Sequence, residues 1–162
     1  MTPLPVSRTA QSFEPGRDLG ASQWVTVTQA MISDFGDVTL DRDPMHISPE
    51  WASAGPFGAT IAFGFLTLSL LTYLLHDALG TDSSHYDPAQ GYFLNYGFNR
   101  VRLITPVPVG ARIRGVFRVL EVRDDVKGRR ITTFDAAIEI EGGTRPALVA
   151  EWLTMAMPPT AA

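Results

Sequence analysis

The sequence predicts an α+β domain in which an antiparallel β-sheet wraps around one buried α-helix. Three observations carry that expectation. Residues 64–79 hold Leu at 66, 68, 70, 71, 74, 75 and 79, so apolar groups lie all round a helix written there, and such a helix needs cover on most sides. After Asp87-Pro88 the composition shifts to four segments rich in β-branched and aromatic residues, about 92–103, 112–123, 130–141 and 146–156, the signature of strands. The breaks at Asp124–Gly128 and Glu141-Gly142-Gly143 are short and Gly-containing, as hairpin loops are. The second half therefore reads as an antiparallel meander, and wrapping it round the helix buries the apolar surface of both.

The remaining elements follow in order. Residues 1–20 are aperiodic, with Pro at 3, 5 and 15, and read as an N-terminal arm laid over the surface or left loose. A single domain then spans 21–158. Trp24–Val27 alternates and is β-prone, so a short strand is expected. Thr28 stands where it can cap a helix over 29–35, with Met31, Ile32 and Phe35 on its apolar side. A polar, Asp-dense loop follows, carrying Pro44 and Pro49. Ser48-Pro49-Glu50 is a helix start: a cap, a Pro at the first helical position and an acid in the first turn. Ala54-Gly55-Pro56-Phe57-Gly58 ends that turn, and Gly80 with the polar residues after it stops the long helix.

Composition narrows the function. A length of 162 residues corresponds to about one domain. The chain has no Cys, which excludes a disulfide framework, a thiolate metal site and a cysteine nucleophile. A net charge of −4 argues against general nucleic-acid binding. The most apolar stretch, Ile61–Leu75, is interrupted by Gly64, Thr67, Ser69 and Thr72 and falls short of the ~18–20 residues a membrane span needs. With no apolar leader near residue 1, the expectation is a cytoplasmic protein without a membrane partner.

Charge is uneven. Residues 100–130 hold nine basic and three acidic residues, a window of +6 in a chain of −4. Arg112, Arg114 and Arg118 share one strand face, opposite Ile113, Phe117 and Val119. Two readings stand open: a solvated outer sheet face, or a patch for a polyanionic small molecule such as a nucleotide-bearing thioester.

Chemistry concentrates in Asp41-Arg42-Asp43-Pro44-Met45-His46. Pro44 restricts itself and Asp43, so the loop is stiff and can hold a carboxylate and an imidazole on one water. The imidazole is the natural base near pH 7. Equally open at this point are turn carboxylates beside a surface histidine; a metal site lacks ligands unless others come from elsewhere. Gly64 opens the apolar helix. Its amide and that of Phe65 lack intrahelical acceptors and carry positive polarity, suited to charge developing on a carbonyl oxygen; the alternative is that Gly64 only permits close packing. Together these features suggest addition or removal of water beside a thioester carbonyl. His76 and His85 read as structural. Trp24, Trp51 and Trp152 read as core or interface anchors. Tyr96 and Asn99, either side of Gly97 and Phe98, line a ligand tunnel or mark an edge strand.

On these motifs the chain resembles, from about Gln23 to Met155, the MaoC-like, R-specific enoyl-CoA hydratase family, closest to its NodN-like branch. The family's Asp-x-Asn-Pro-x-His signature corresponds to Asp41–His46. Ala54–Leu71, Asn95–Arg102 and Pro106–Gly110 are similar to the family's helix start and strand motifs. The resemblance implies the hotdog fold. It implies that Asp41 and His46 activate a water that adds to C3 of a trans-2-enoyl thioester, with the Gly64 amide facing the carbonyl. The product is an (R)-3-hydroxyacyl-CoA, made with no metal and no cofactor beyond the coenzyme A of the substrate. Asp43, Phe63, Phe65, Tyr96, Asn99 and Arg100 are the expected substrate-binding residues, with Arg102 and Arg112 as further candidates for the coenzyme A phosphates. A homodimer joined at sheet edges, or a higher oligomer, is implied. Three positions depart from the family: Leu40 where Gly is common, Asp43 for Asn, and Phe63 for His. A thioesterase and a non-catalytic acyl-thioester binder share the same scaffold.

Overall fold

The computed structural model describes residues 13–81 and 91–157. Along the chain run β1 (Asp18–Ala21), β2 (Val25–Thr26), α1 (Gln29–Thr39), α2 (Pro44–Ile47), α3 (Pro49–Ser53), α4 (Gly64–Ser69), α5 (Leu71–Ala78), β3 (Tyr92–Leu103), β4 (Arg112–Asp124), β5 (Arg130–Ile140) and β6 (Leu148–Met157). The antiparallel sheet is ordered β1-β4-β5-β6-β3, and β2 pairs with β4 beyond β1.

Strand periodicity sets the faces. In β4, Ile113, Phe117 and Val119 are buried, and the arginines between them point outward. Phe134, Ala136 and Ile138 of β5 and Leu148, Ala150 and Trp152 of β6 continue the inner face. Against it lie Leu66, Leu71, Leu74 and Leu75 of the central helix. The contact is close because Gly115 has no side chain: a Cβ there would stand 2.8 Å from the Cβ of Leu74. Leu74 is fully buried, which is worth about 1.5–3 kcal/mol relative to exposure.

Two expectations are corrected. The four long strands are not one meander: β4-β5-β6 is, but β3 crosses to the far edge and pairs with β6. The 104–111 link explains it. Pro106 and Pro108 bring no N–H, and the neighbouring groups bond residues 60–62 instead of a hairpin partner, Ala62 N–H to Val107 O at 2.8 Å and Val109 N–H to Thr60 O at 2.9 Å. The central helix is two segments meeting at Leu70. The Thr67 and Ser69 hydroxyls bond back to the carbonyls of Phe63 and Phe65, a pattern that bends helices. The helix is covered on most sides, and Phe65, Ser69 and Tyr73 form its exposed stripe.

The arm is tied in where it is described. Phe13 is buried edge-to-face against Phe134 at 5.4 Å, and β1 pairs with β4. Residues 1–12 and His85 lie outside the described residues. Among those described, no helix is long and apolar enough to cross a membrane.

Candidate active site

The Asp-rich loop is built by local bonding. α1 ends at Leu40, which adopts a left-handed φ of 61°. The Asp41 carboxylate accepts from the Asp43 N–H at 3.2 Å. The Asp43 carboxylate accepts from the Met45 N–H at 2.9 Å and so caps α2, with Pro44 in its first turn. Both carboxylates thus do the work of turn residues, and the same bonds present His46 inward.

The His46 ring is held on two sides. Its Nδ1 lies 2.7 Å from the Ile61 carbonyl oxygen. A carbonyl can only accept, so Nδ1 carries the proton and Nε2 keeps the basic lone pair. The ring packs against Phe63 at 3.9 Å between centroids. Phe63 is buried and rests on Phe35 at 5.4 Å; it backs the His46 ring and has no polar group to offer.

A cavity of about 260 Å³ opens beside His46, lined also by Ile61, Gly64, Thr67, Leu103 and Val107. It is apolar with few polar groups, the usual make-up of a small-molecule site. A Cβ at Gly64 would overlap the tip of the Leu103 side chain, which is half exposed and would have to shift, and Gly64 is itself part of the cavity's lining. A second cavity of about 90 Å³ lies between α5, β3 and β6, lined among others by Thr72, Leu75, His76, Asn95, Trp152 and Thr154. Thr154 in its lining and Thr132, its partner across the β5–β6 pair, carry buried hydroxyls with no hydrogen-bond partner.

Of the sequence-expected residues, His46 and Gly64 share the first cavity, with Phe63 behind the ring. Asp41 and Asp43 sit on the exposed side of the loop, outside the cavity's lining. Phe65 is 70% exposed. Tyr96 and Asn99 are the extra residues of two β-bulges in β3, and Arg100 lies 3.9 Å from Glu151 across the β3–β6 pair. These three do not line the His46 cavity. Arg102 donates to the Val101 carbonyl. The basic face is largely neutralised, with Arg112 on Glu141 and Arg114 on Glu139, each at 2.8 Å, and Arg114 stacked over Trp24 at 4.7 Å. That geometry fits the solvated sheet face. His76 bonds Thr81 through Nδ1 at 2.8 Å. Trp152 is buried, whereas Trp51 is half exposed. Sequence reasoning missed Ile61, Leu103 and Val107, whose only signal was their closeness to Gly64 or to the Pro106–Pro108 break.

Comparison with known proteins gives the class. The chain matches the structure of an (R)-hydratase from A. caviae involved in PHA biosynthesis with a TM-score of 0.70, at 24% identity over 92% of this chain and 99% of that one; the shared architecture is the hotdog fold. The MaoC like domain pattern matches residues 10–140. Nodulation protein N of Rhizobium leguminosarum bv. viciae is 43% identical over 86% of this chain and 84% of its own length. The 3-hydroxyacyl-thioester dehydratase Z of Mycobacterium tuberculosis (strain ATCC 25618 / H37Rv) is 42% identical over 84% of this chain and 86% of its own length. The fold and these relatives define an enzyme of the hydratase/dehydratase kind. The chain belongs to the MaoC-like dehydratase domain family.

Proposed function

We propose that the protein interconverts trans-2-enoyl-CoA and (R)-3-hydroxyacyl-CoA. The observation that carries this reading is the Nδ1-pinned His46, whose basic Nε2 belongs to a ring lining the same cavity as Gly64. In hydration, a water gives up a proton as its oxygen bonds C3. The double-bond electrons pass toward the thioester oxygen, where the Gly64 amide meets the growing charge. The enolate collapses and C2 takes a proton. His46 and Asp41 are assigned the two proton transfers, although the Asp41 carboxylate stands on the exposed side of the loop, outside the lining of the cavity, so its share is what the Asp41→Ala variant tests. Dehydration runs the same steps backwards. Neither a metal nor a redox cofactor enters the scheme; coenzyme A is part of the substrate. The names of dehydratase Z and of the (R)-hydratase support the substrate class.

The working unit is a homodimer. β3 is a sheet edge with Leu94, Tyr96, Phe98 and Leu103 exposed, and an uncovered edge of this kind invites pairing. Such a pairing brings a second chain to β3, where the candidate contacts Tyr96, Asn99 and Arg100 lie.

The test is loss of the conjugated enoyl-thioester absorbance over a panel of enoyl-CoAs of graded length. His46→Ala and Asp41→Ala are expected to lose at least about 100-fold in kcat, as removal of a general acid or base does. Release of free thiol without that absorbance change would instead mean a thioesterase. Saturable binding with no turnover of any chain length would mean a binding protein.

A further inference from the structure

His46 is mounted on more than the Ile61 carbonyl. Its backbone carbonyl accepts a hydrogen bond from Gln29 Nε2 at 3.0 Å. The other end of the same amide, Oε1, accepts from the Thr60 hydroxyl at 2.5 Å. The orientation of the Gln29 amide follows from its partners. A carbonyl oxygen can only accept, so the atom facing His46 O must be the NH2 group, and the oxygen then faces Thr60, whose hydroxyl donates. Gln29 also donates to Ser33 Oγ at 3.2 Å. Thr60 is buried at 1% exposure, and its carbonyl is fixed by the Val109 N–H. Ile61, next in the chain, closes the frame: its carbonyl holds the His46 ring, and its N–H bonds the Met45 carbonyl at 3.4 Å.

We propose that Gln29 and Thr60 are positioning residues of the reaction, clamping the main chain of His46 to the same two-residue segment that fixes its ring. Ring and backbone are thereby referred to one rigid piece of chain. If the backbone clamp is lost, His46 can move relative to Ile61, and the bond that selects the Nδ1–H tautomer weakens. Outer-shell partners of metal-ligating histidines cost about 10- to 100-fold in affinity or activity when removed, and that range is taken as the scale for a clamp that acts on His46 through its main chain. Gln29 touches no substrate in this scheme; it acts through His46, so the proposal rests on the catalytic reading of His46.

The experiment compares wild type, Gln29→Ala, Gln29→Glu and Thr60→Val by steady-state kinetics on an enoyl-CoA and by ¹⁵N NMR of the imidazoles. With three His in the chain, the His46 signals are assigned by their loss in His46→Gln. Gln29→Ala is expected to lower kcat by about 10- to 100-fold, to change KM by less than about 3-fold, and to turn the single Nδ1–H tautomer of His46 into a mixture. Gln29→Glu keeps the acceptor for Thr60 but cannot donate to His46 O when ionised, and is expected to behave like Gln29→Ala. Thr60→Val gives a smaller loss in the same direction, and adding it to Gln29→Ala costs nothing further. An unchanged His46 tautomer in folded Gln29→Ala or Gln29→Glu overturns the proposal, whatever the kinetics. A wild-type protein with no turnover but with the tautomer shift present in Gln29→Ala overturns the catalytic reading and leaves the clamp standing.

Discussion

Leu40 is a residue under strain. A left-handed conformation costs a non-glycine residue roughly 1–2 kcal/mol, and Leu40 adopts φ 61° at the end of α1. Its side chain is 79% exposed, so little packing opposes a change. Leu40→Gly is expected to raise stability by about 0.5–1 kcal/mol, the relief of strain exceeding the extra freedom of Gly in the unfolded chain. A higher urea midpoint at constant m-value would show it; an unchanged midpoint would mean that the loop already relaxes the strain. The departure at Asp43 has a different consequence. Asp and Asn cap helices equally well, so this position keeps its structural role with either residue. Both facts concern bonds two or three residues long, which is why the Asp41–His46 turn was readable from its own letters. The Ile61 contact of His46 spans 15 positions and left no trace in the motif.

At the scale of elements, the β4–β5 hairpin has its own electrostatic latch. In the turn, Asp125 accepts from the backbone N–H groups of Lys127 and Arg129 at 2.9 and 3.0 Å and pairs with the Arg129 guanidinium. Hydrogen bonding from the Arg129 side chain leads in holding the Asp125 carboxyl at about 2, below its ordinary 3.8. The sign follows. The folded state binds this proton more weakly than the unfolded state, so the stabilisation is complete above about pH 4 and is lost as pH falls toward 2. Asp125→Asn is therefore expected to lower stability at pH 7 and to have little effect near pH 2, measured by denaturation across that range. The central helix illustrates the limit of periodicity. Its leucines give the length of the rod, but the break at Leu70 follows from Thr67 and Ser69 bonding backwards, an effect that an apolar pattern does not register. The crossing of β3 to the far edge was equally hidden, because alternation gives each strand its faces and no strand its neighbour.

For the molecule as a whole, the decisive feature is what stays uncovered. Phe65 and Tyr73 on the helix and Leu94, Tyr96, Phe98 and Leu103 on β3 are 39–70% exposed, large apolar groups left on the helix and on the edge strand. In the proposed dimer this surface is shared between two chains. Light scattering at micromolar concentration is expected to give twice the 17.7 kDa chain mass. Leu94→Lys with Tyr73→Lys is expected to return it to a single chain by placing like charges across the join. A wild-type mass of one chain would remove the dimer from the proposal.

The amino-acid pattern carried the α+β layering, the extents of the long strands to within two residues, the caps at Thr28 and Ser48, and the His46 and Gly64 side of the site. Each of these depends on neighbours in the chain or on simple alternation, so local chemistry suffices to write it. The order of strands, the bend of the helix and the Ile61 and Gln29 mounts of His46 came from folding alone, and folding chose the edge over the tunnel for Tyr96 and Asn99 of β3. They depend on which distant segments meet, and that is settled by packing and by the pairing of buried polar groups across the whole domain.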